Sequence, residues 1–190
     1  MDIVHPIKKD IQLTDGRILL RPYRLTDTEP LYEAVRESVV ELEAWMPWCD
    51  ASYSRLQSES WLKCCDKAWA EGTAYEFAIM DSKTNGFLGA CGLNQINKGD
   101  KIANLGYWVR TSKNMQGIAT SAVKLLVQLG FHEIGLNRVE IIAATGNKAS
   151  QRVAEKAGAT REGILRNRIT INDRVLDAAM FSLIPQDFPN

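Results

Sequence analysis

A single mixed α/β domain, with about seven strands in a mostly antiparallel sheet and about four helices, is the fold class that the sequence predicts. Three observations carry it. The 190 residues suffice for one substantial core, and no linker, repeat or low-complexity tract divides them, so residues 1–190 read as one domain. Hydrophobic residues make up 45% and charged residues 24%, an ordinary balance for a globular protein. Along the chain the apolar pattern switches between short β-rich runs closed by turn residues and longer stripes at three- and four-residue steps. The resulting order is strand, two helices, three-strand meander, helix, strand, helix, hairpin.

Thr14-Asp15-Gly16 reads as a turn into a strand from Arg17 to Arg24, where Pro22 asks for an edge position or a bulge. Thr26-Asp27-Thr28-Glu29-Pro30 has the cap residues and early proline of a helix start. Leu31, Ala34, Val35 and Val39 supply the stripe of a helix expected to reach about Glu43. Trp45-Met46-Pro47-Trp48 then fits neither helix interior nor central strand; it is a loop with a large apolar content, either a core plug or the wall of a substrate pocket. Arg55 to Glu71 forms the second helix, with Trp61, Leu62, Cys65 and Trp69 on one side and Gly72 as its stop.

Ala74 to Asp81 and Phe87 to Asn97 pair as a hairpin around a turn that contains Asn85-Gly86. Lys98-Gly99-Asp100 turns into a third strand, Ile102 to Val109. Beyond Gly117, the stripe of Ile118, Ala122, Leu125, Leu126 and Leu129 marks the long helix, followed by a buried strand from Arg138 to Ala144. Asn147 to Ala157 is a short helix closed by Gly158, and Arg161 to Ile171 with Val175 to Ile184 make the final hairpin around Asn172-Asp173.

The stretch from Lys113 to Ala122 departs from the usual helix start. Exposed N–H groups and the helix dipole normally draw Asp or Glu into a first turn, yet no acidic residue occurs between Asp100 and Glu133, while Lys101, Arg110, Lys113 and Lys124 do. A phosphate would supply the missing negative charge, and Gly117 allows the close backbone approach it needs. The alternative is an ordinary strand-loop-helix junction. With neither a Gly-Lys-Ser/Thr loop nor a three-glycine fingerprint, nucleoside triphosphate and dinucleotide sites are disfavoured.

Twenty-three basic residues balance 23 acidic ones, so no global field draws nucleic acid or a membrane surface. Neither a signal-like segment in Met1 to Asp10 nor a bilayer-length apolar run is present, and a cytoplasmic location is expected. Cys49, Cys64, Cys65 and Cys91 lack metal or redox spacing, and with only His5 and His132 neither a metal site nor a Ser-His-Asp triad is expected.

In these residues the chain resembles the GNAT N-acetyltransferases, and within them the branch of the RimJ and RimL protein N-terminal acetyltransferases. The resemblance runs through Arg21-Pro22, Trp45-Met46-Pro47-Trp48, Gly106-Tyr107-Trp108-Val109 and Gln116-Gly117-Ile118-Ala119-Thr120. It continues through Arg138-Val139, Asn147, Ser150, Glu155-Lys156, Gly158, Glu162-Gly163 and Arg166. It implies a sheet that splays between the strands at 102–109 and 138–144, with acetyl-CoA in the opening and no metal. Backbone amides from Gln116 through Gly117, Ile118 and Ala119 to Thr120 would hold the pyrophosphate. Tyr107, Trp108 and Val109 would pair with the pantetheine arm, and Asn147 would contact it. Asn114 stands where relatives carry a longer donor, and Lys156 either adds charge near the cofactor or is a surface lysine. Ser150 is the expected neighbour of the coenzyme sulfur, unless it only caps or packs its helix.

The implied reaction is direct attack of an amine on the thioester, with the oxyanion held by a backbone N–H near Trp108 or Val109. Where relatives place an acid before Gly-Tyr-Trp, this chain has Asn104, so Glu162 and Glu76 become the candidates for a water-relayed base. An α-amine of pKa ~8 is neutral about one time in ten at pH 7, a lysine about once in 2,500, a difference of ~3 kcal/mol. That favours an N-terminal α-amine, or another amine of similarly low pKa, and the resemblance implies a protein N-terminus of the ribosomal-protein type as acceptor. It would lie over Trp45, Trp48, Glu43 and Glu76. A small amine such as a polyamine or an aminoglycoside is the alternative, with Glu41, Glu43 and Asp50 near the tryptophan loop to attract it. A CoA-binding module without turnover is the alternative of another class, as is an interaction domain without cofactor. The chain is expected to be a monomer or a homodimer.

Overall fold

The computed structural model describes residues 7–188. His5 and the first six residues, on which the reading of an absent leader partly rests, lie outside them. In order the elements are β1 (Leu13–Thr14), β2 (Ile18–Pro22), α1 (Thr28–Glu37), α2 (Val39–Leu42), α3 (Arg55–Glu71), β3 (Tyr75–Asp81), β4 (Phe87–Asn97) and β5 (Ile102–Val109). Then follow α4 (Ile118–Leu129), β6 (Arg138–Ala144), α5 (Lys148–Ala157), β7 (Thr160–Ile171) and β8 (Arg174–Leu183). The eight strands form one sheet in the order β1-β2-β3-β4-β5-β6-β8-β7, antiparallel except between β5 and β6.

Two elements differ from the expectation, each for a local reason. The Asp15 carboxylate accepts the Arg17 and Ile18 N–H groups at 2.9 and 3.0 Å, and the tight turn it makes pairs Leu13–Thr14 with Leu20 and Leu19 as an eighth strand. The helix expected to reach Glu43 breaks at Ser38, whose hydroxyl bonds back to the Ala34 carbonyl at 2.7 Å and leaves α2 as a separate turn. Pro22 sits at the end of β2, beyond the two residues that β1 covers, so its missing N–H costs no ladder bond. Asn172 and Asp173 both take left-handed φ angles, 48° and 60°, as a two-residue hairpin turn requires.

Alternation along the strands divides the core into two layers. Phe77, Cys91, Leu93 and Leu105 face Ala122, Leu126 and Ala154, and so bury α4 and α5 on one side. Ala78, Met80 and Ala90 face Leu31, Ala34 and Leu62, burying α1 and much of α3 on the other. Parallel pairing of β5 with β6 covers only Ile102–Asn104 against Arg138–Glu140. Beyond Asn104 the two strands part. No helix among the described residues is long and apolar enough to cross a membrane, and no group of three His, Cys, Asp or Glu there could hold a metal ion.

Candidate active site

Where β5 and β6 part, a slot of about 160 Å³ opens between Leu105–Tyr107 and Ile141–Ala144, closed by Trp45, Asn147 and Ser150. Asn147 caps α5: its Oδ1 accepts the Ser150 N–H at 3.0 Å, which turns the amide Nδ2 and the Ser150 hydroxyl toward the same helix end. Across the opening the Tyr107 hydroxyl donates to the Ser150 carbonyl at 2.8 Å and lies 3.0 Å from Ser150 Oγ. Burial pushes the Tyr107 phenol up to about 12. Both hydroxyls are therefore neutral, linked donors at neutral pH.

The Arg110 N–H bonds the Leu88 carbonyl at 2.9 Å, which fixes the alternation of β5: the Trp108 amide faces β4, while those of Tyr107 and Val109 face the gap left by β6. Of the two amides expected to hold an oxyanion, Val109 points into the gap and Trp108 does not. The Trp108 side chain instead faces the opposite cavity, with ring centroids 6.3 Å from Trp48 and 6.1 Å from Phe87.

That second cavity, about 470 Å³, lies on the α1–α3 side of the sheet. Trp48, Tyr53, Trp61 and Trp108 wall it, and Glu76 lies at its floor. Met46, Gly106 and Tyr107 line both spaces, so the slot and the cavity meet at the middle of β5.

At the start of α4 Gly117 takes φ 77°, a left-handed conformation suited to glycine, and no side chain caps the helix. Met115, fully exposed, is left-handed too, at φ 59°. The Arg17 guanidinium donates to the Gln116 carbonyl at 2.9 Å and so hangs the loop from the edge of β2. Glu37 at the end of α1 holds the other side: it accepts from Arg110 Nε at 2.9 Å and from the Ser112 N–H at 2.8 Å, while Ser38 Oγ accepts the Thr111 N–H at 3.0 Å. Arg110 holds the Glu37 carboxyl down to about 2, so this tie is complete above the ordinary glutamate range and is lost as pH falls from about 4.5 towards 2. Glu37→Ala is expected to raise KM for acetyl-CoA by about 3- to 10-fold with kcat within about twofold, measured by steady-state thiol release at pH 7.5.

Of the residues singled out in the sequence, Tyr107, Asn147 and Ser150 come together at the slot, and Gly117 to Thr120 form the helix start. Trp48 and Glu76 belong to the cavity on the other side. The two tryptophans of the loop separate: Trp45 closes the slot, with its ring against Gly146, and is not a wall of the second cavity. Glu43 lies away from both spaces, its carbonyl accepting from Asn172 at 3.3 Å. Asn114 and Gln116 are exposed on the loop, and Lys156 is exposed in the last turn of α5.

Glu162 is not at the site. Its two carboxylate oxygens take Arg138 Nη1 and Nη2 at 2.7 and 2.5 Å, one of them also takes Ser182 Oγ at 2.7 Å, and Arg138 holds its pKa down to about 2. Such a carboxylate is a poor proton acceptor. Glu76 has the opposite environment: burial pushes it up to about 7, and Asn94 Nδ2 at 3.4 Å is its one hydrogen-bond partner among the described residues. Burial also pushes the Cys91 thiol well up, which leaves it packed and protonated. Arg17, Glu37, Asn94 and Gly92 were missed; each acts across strands or layers, and nothing in its own stretch of sequence marks it.

A family model described as an acetyltransferase (GNAT) domain matches residues 17–160. The uncharacterized N-acetyltransferase p20 of Bacillus licheniformis is 28% identical over 90% of this chain and 95% of its own. The ribosomal-protein-serine acetyltransferase of Escherichia coli (strain K12) is 26% identical over 82% of this chain and 86% of its own. Among solved structures, the microcin C7 self-immunity acetyltransferase MccE, in complex with acetyl-CoA and AMP, matches the fold with a TM-score of 0.83 at 24% identity, over 90% and 93% of the two chains.

Proposed function

We infer that this chain, which belongs to the GNAT family of acetyl-CoA-dependent N-acetyltransferases, passes the acetyl group to the α-amine at the N-terminus of a protein or peptide. The observation that carries the reading is the meeting of slot and cavity at Gly106–Tyr107, which lets a thioester and an amine approach from opposite faces of one strand.

The residues present fit acetyl-CoA. The free N–H groups of Ile118, Ala119 and Thr120, with no acid and no capping side chain among them, suit a pyrophosphate; Lys113 lies on the loop before them and Arg17 is bonded to it. The free edge of β5 and the Asn147 amide suit the amide groups of a pantetheine arm. Acetyl-CoA, when bound, supplies the activated acyl group. Ser150, steadied by Tyr107, would donate to the departing sulfur, and the Val109 amide to the carbonyl oxygen.

Two things support an α-amine. The Escherichia coli relative carries the name of a ribosomal-protein-serine acetyltransferase, and an amine of pKa ~8 sheds its proton near neutrality at far lower cost than a lysine. Glu41, Glu43 and Asp50, which could have drawn a polycation, do not line the cavity.

The test is thiol release from acetyl-CoA at pH 6 to 9 with a free N-terminal peptide, an Nα-blocked lysine peptide, spermidine and an aminoglycoside. Preferred turnover of the free N-terminal peptide is the expected result; preference for spermidine or the aminoglycoside, or cofactor binding with no amine-dependent release, would overturn it. In the same assay Ser150→Ala should lower kcat about 10- to 100-fold and leave KM for acetyl-CoA within about threefold.

A further inference from the structure

We propose that Glu76 binds the acceptor's ammonium group and takes its proton, and that its cavity selects amines bearing one positive charge beside an apolar or aromatic substituent. The proposal rests on the acetyl-transfer reading above and deepens it.

The geometry begins with register. Glu76 on β3 stands opposite Gly92 on β4, and Gly92 opposite Gly106 on β5, all on one face of the sheet. The Glu76 side chain lies across the bare backbone of Gly92: a Cβ there would fall 1.8 Å from Oε2 and 2.7 Å from Oε1. Glycine at 92 thus lets a carboxylate rooted on β3 reach towards β5, where the cavity joins the slot. Asn104 Nδ2 donates to Asn94 Oδ1 at 2.9 Å, and Asn94 Nδ2 donates to Glu76 Oε1. This chain orients both amides and leaves Oε2 without a hydrogen bond among the described residues.

The walls add a second, independent indication. Trp48 and Trp61, 43% and 44% exposed, stand at the mouth, and the buried Tyr23 hydroxyl also lines the cavity, with the Trp61 side chain beside it. No Lys, Arg, Asp or His lines the space, so Glu76 is the one formal charge that a guest meets there. An ammonium gains the carboxylate and the faces of the tryptophans; an apolar neighbour gains the rest of the wall. A second ammonium, as in a polyamine, would be buried without a partner.

The titratable groups that face Glu76 are Tyr23 from the end of β2, Cys65 and Cys64 from α3, Cys91 from β4, and Tyr53 and Tyr107 around the cavity. Burial pushes Tyr23, Tyr53, Cys65, Cys91 and Tyr107 upward. Glu76, which burial raises to about 7, therefore titrates among neutral neighbours, at a value matched to accepting a proton at neutral pH. In the step, R–NH3+ passes one proton to Glu76. The freed lone pair forms the N–C bond to the acetyl carbon while the C–S bond breaks, and a second N–H proton reaches the sulfur by way of Ser150. Glu76 returns its proton to water, so ammonium and thioester become amide, thiol and one released proton.

Wild type, Glu76→Gln and, as a control for loss of a carboxylate away from both cavities, Glu133→Gln would be compared from pH 5.5 to 9. The acceptors are a tetrapeptide with a free N-terminal phenylalanine and spermidine, with acetyl-CoA affinity titrated in parallel. Wild type and Glu133→Gln should show an acid limb in kcat/KM near pH 7 and prefer the peptide. In Glu76→Gln the limb should move up to the amine's own pKa, ~8, and kcat/KM should fall by about 100-fold or more, with acetyl-CoA affinity within about twofold. Unfolding does not mimic this. A carboxyl whose folded pKa is raised destabilises the fold as pH rises from about 4.5 to 7, so the glutamine variant should melt no lower than wild type at pH 8. Activity of Glu76→Gln within threefold of wild type, or an acid limb that stays near pH 7 in it, would overturn the proposal alone; preference for spermidine would overturn the α-amine reading with it. Silence of the wild type on both amines would overturn the transfer reading with it.

Discussion

Thr120→Glu is expected to make the protein more stable and its hold on acetyl-CoA much weaker. Thr120 is the third residue of α4, whose first turn has neither an acid nor a side-chain cap. A carboxylate there would meet the unpaired N–H groups and the positive end of the helix dipole, worth about 0.3–1 kcal/mol. At about 2–4 °C per kcal/mol for a domain of this size, Tm should rise by about 1–3 °C. The same charge would occupy the place that we propose for the pyrophosphate. Two like charges about 4 Å apart repel by about 4 kcal/mol at an effective dielectric near 20, and even half of that weakens binding by about 30-fold or more. Titration calorimetry and thermal melts read the two effects separately. Thr120→Gln, equal in size but neutral, should change each much less. A first turn without acids that merely ends a loop would show the gain in Tm with no loss of affinity, and that outcome would sink the cradle.

Opposite signs are what make the acid-free turn readable. The missing charge is a property of one contiguous stretch, and so is the periodicity of the helix behind it; both are visible without knowing what lies across the sheet. The same holds for the Asn172-Asp173 hairpin and for the strand runs, whose positions the structure reproduces closely. The proposed base is legible in a different way. Glu76 and Glu162 look alike in sequence, each a glutamate at or near the start of a strand-like run. What separates them is Arg138 from β6 and Ser182 from β8 beside one, and Gly92 beneath the other. Asn104 offers no acid at its own position, but Asn94 links it to a carboxylate rooted two strands away, on β3. Trp45 and Trp48, three residues apart, part into two cavities because the turn at Pro47 sends them to opposite sides of β5. Register and layer decide these roles, and neither is written in a local window.

The second large effect concerns how the acceptor cavity is held open. Asp27→Ala should cost about 3–5 kcal/mol, or about 6–20 °C in Tm. Both Asp27 oxygens take the Arg21 guanidinium at 2.7 Å, one also takes the Arg24 N–H at 2.8 Å, and the two side chains are only 5% and 11% exposed. Removal of the carboxylate strands a buried guanidinium and frees the backbone corner that carries the chain from β2 into α1. Tyr23 lies within that corner and Leu31 on the first turns of α1, and both wall the cavity above Glu76. A surviving fraction of folded protein should therefore show a raised KM for the acceptor amine, while acetyl-CoA affinity, which we assign to the start of α4 on the opposite face, stays within about twofold. The double variant Arg21→Leu with Asp27→Leu tests the cause. With both charges gone no uncompensated ion remains, so most of the lost stability should return, while the Arg24 N–H and the corner stay unheld and the acceptor KM stays high. If the double variant is as unstable as Asp27→Ala, the cost lies in the corner's backbone hydrogen bond and not in the stranded charge.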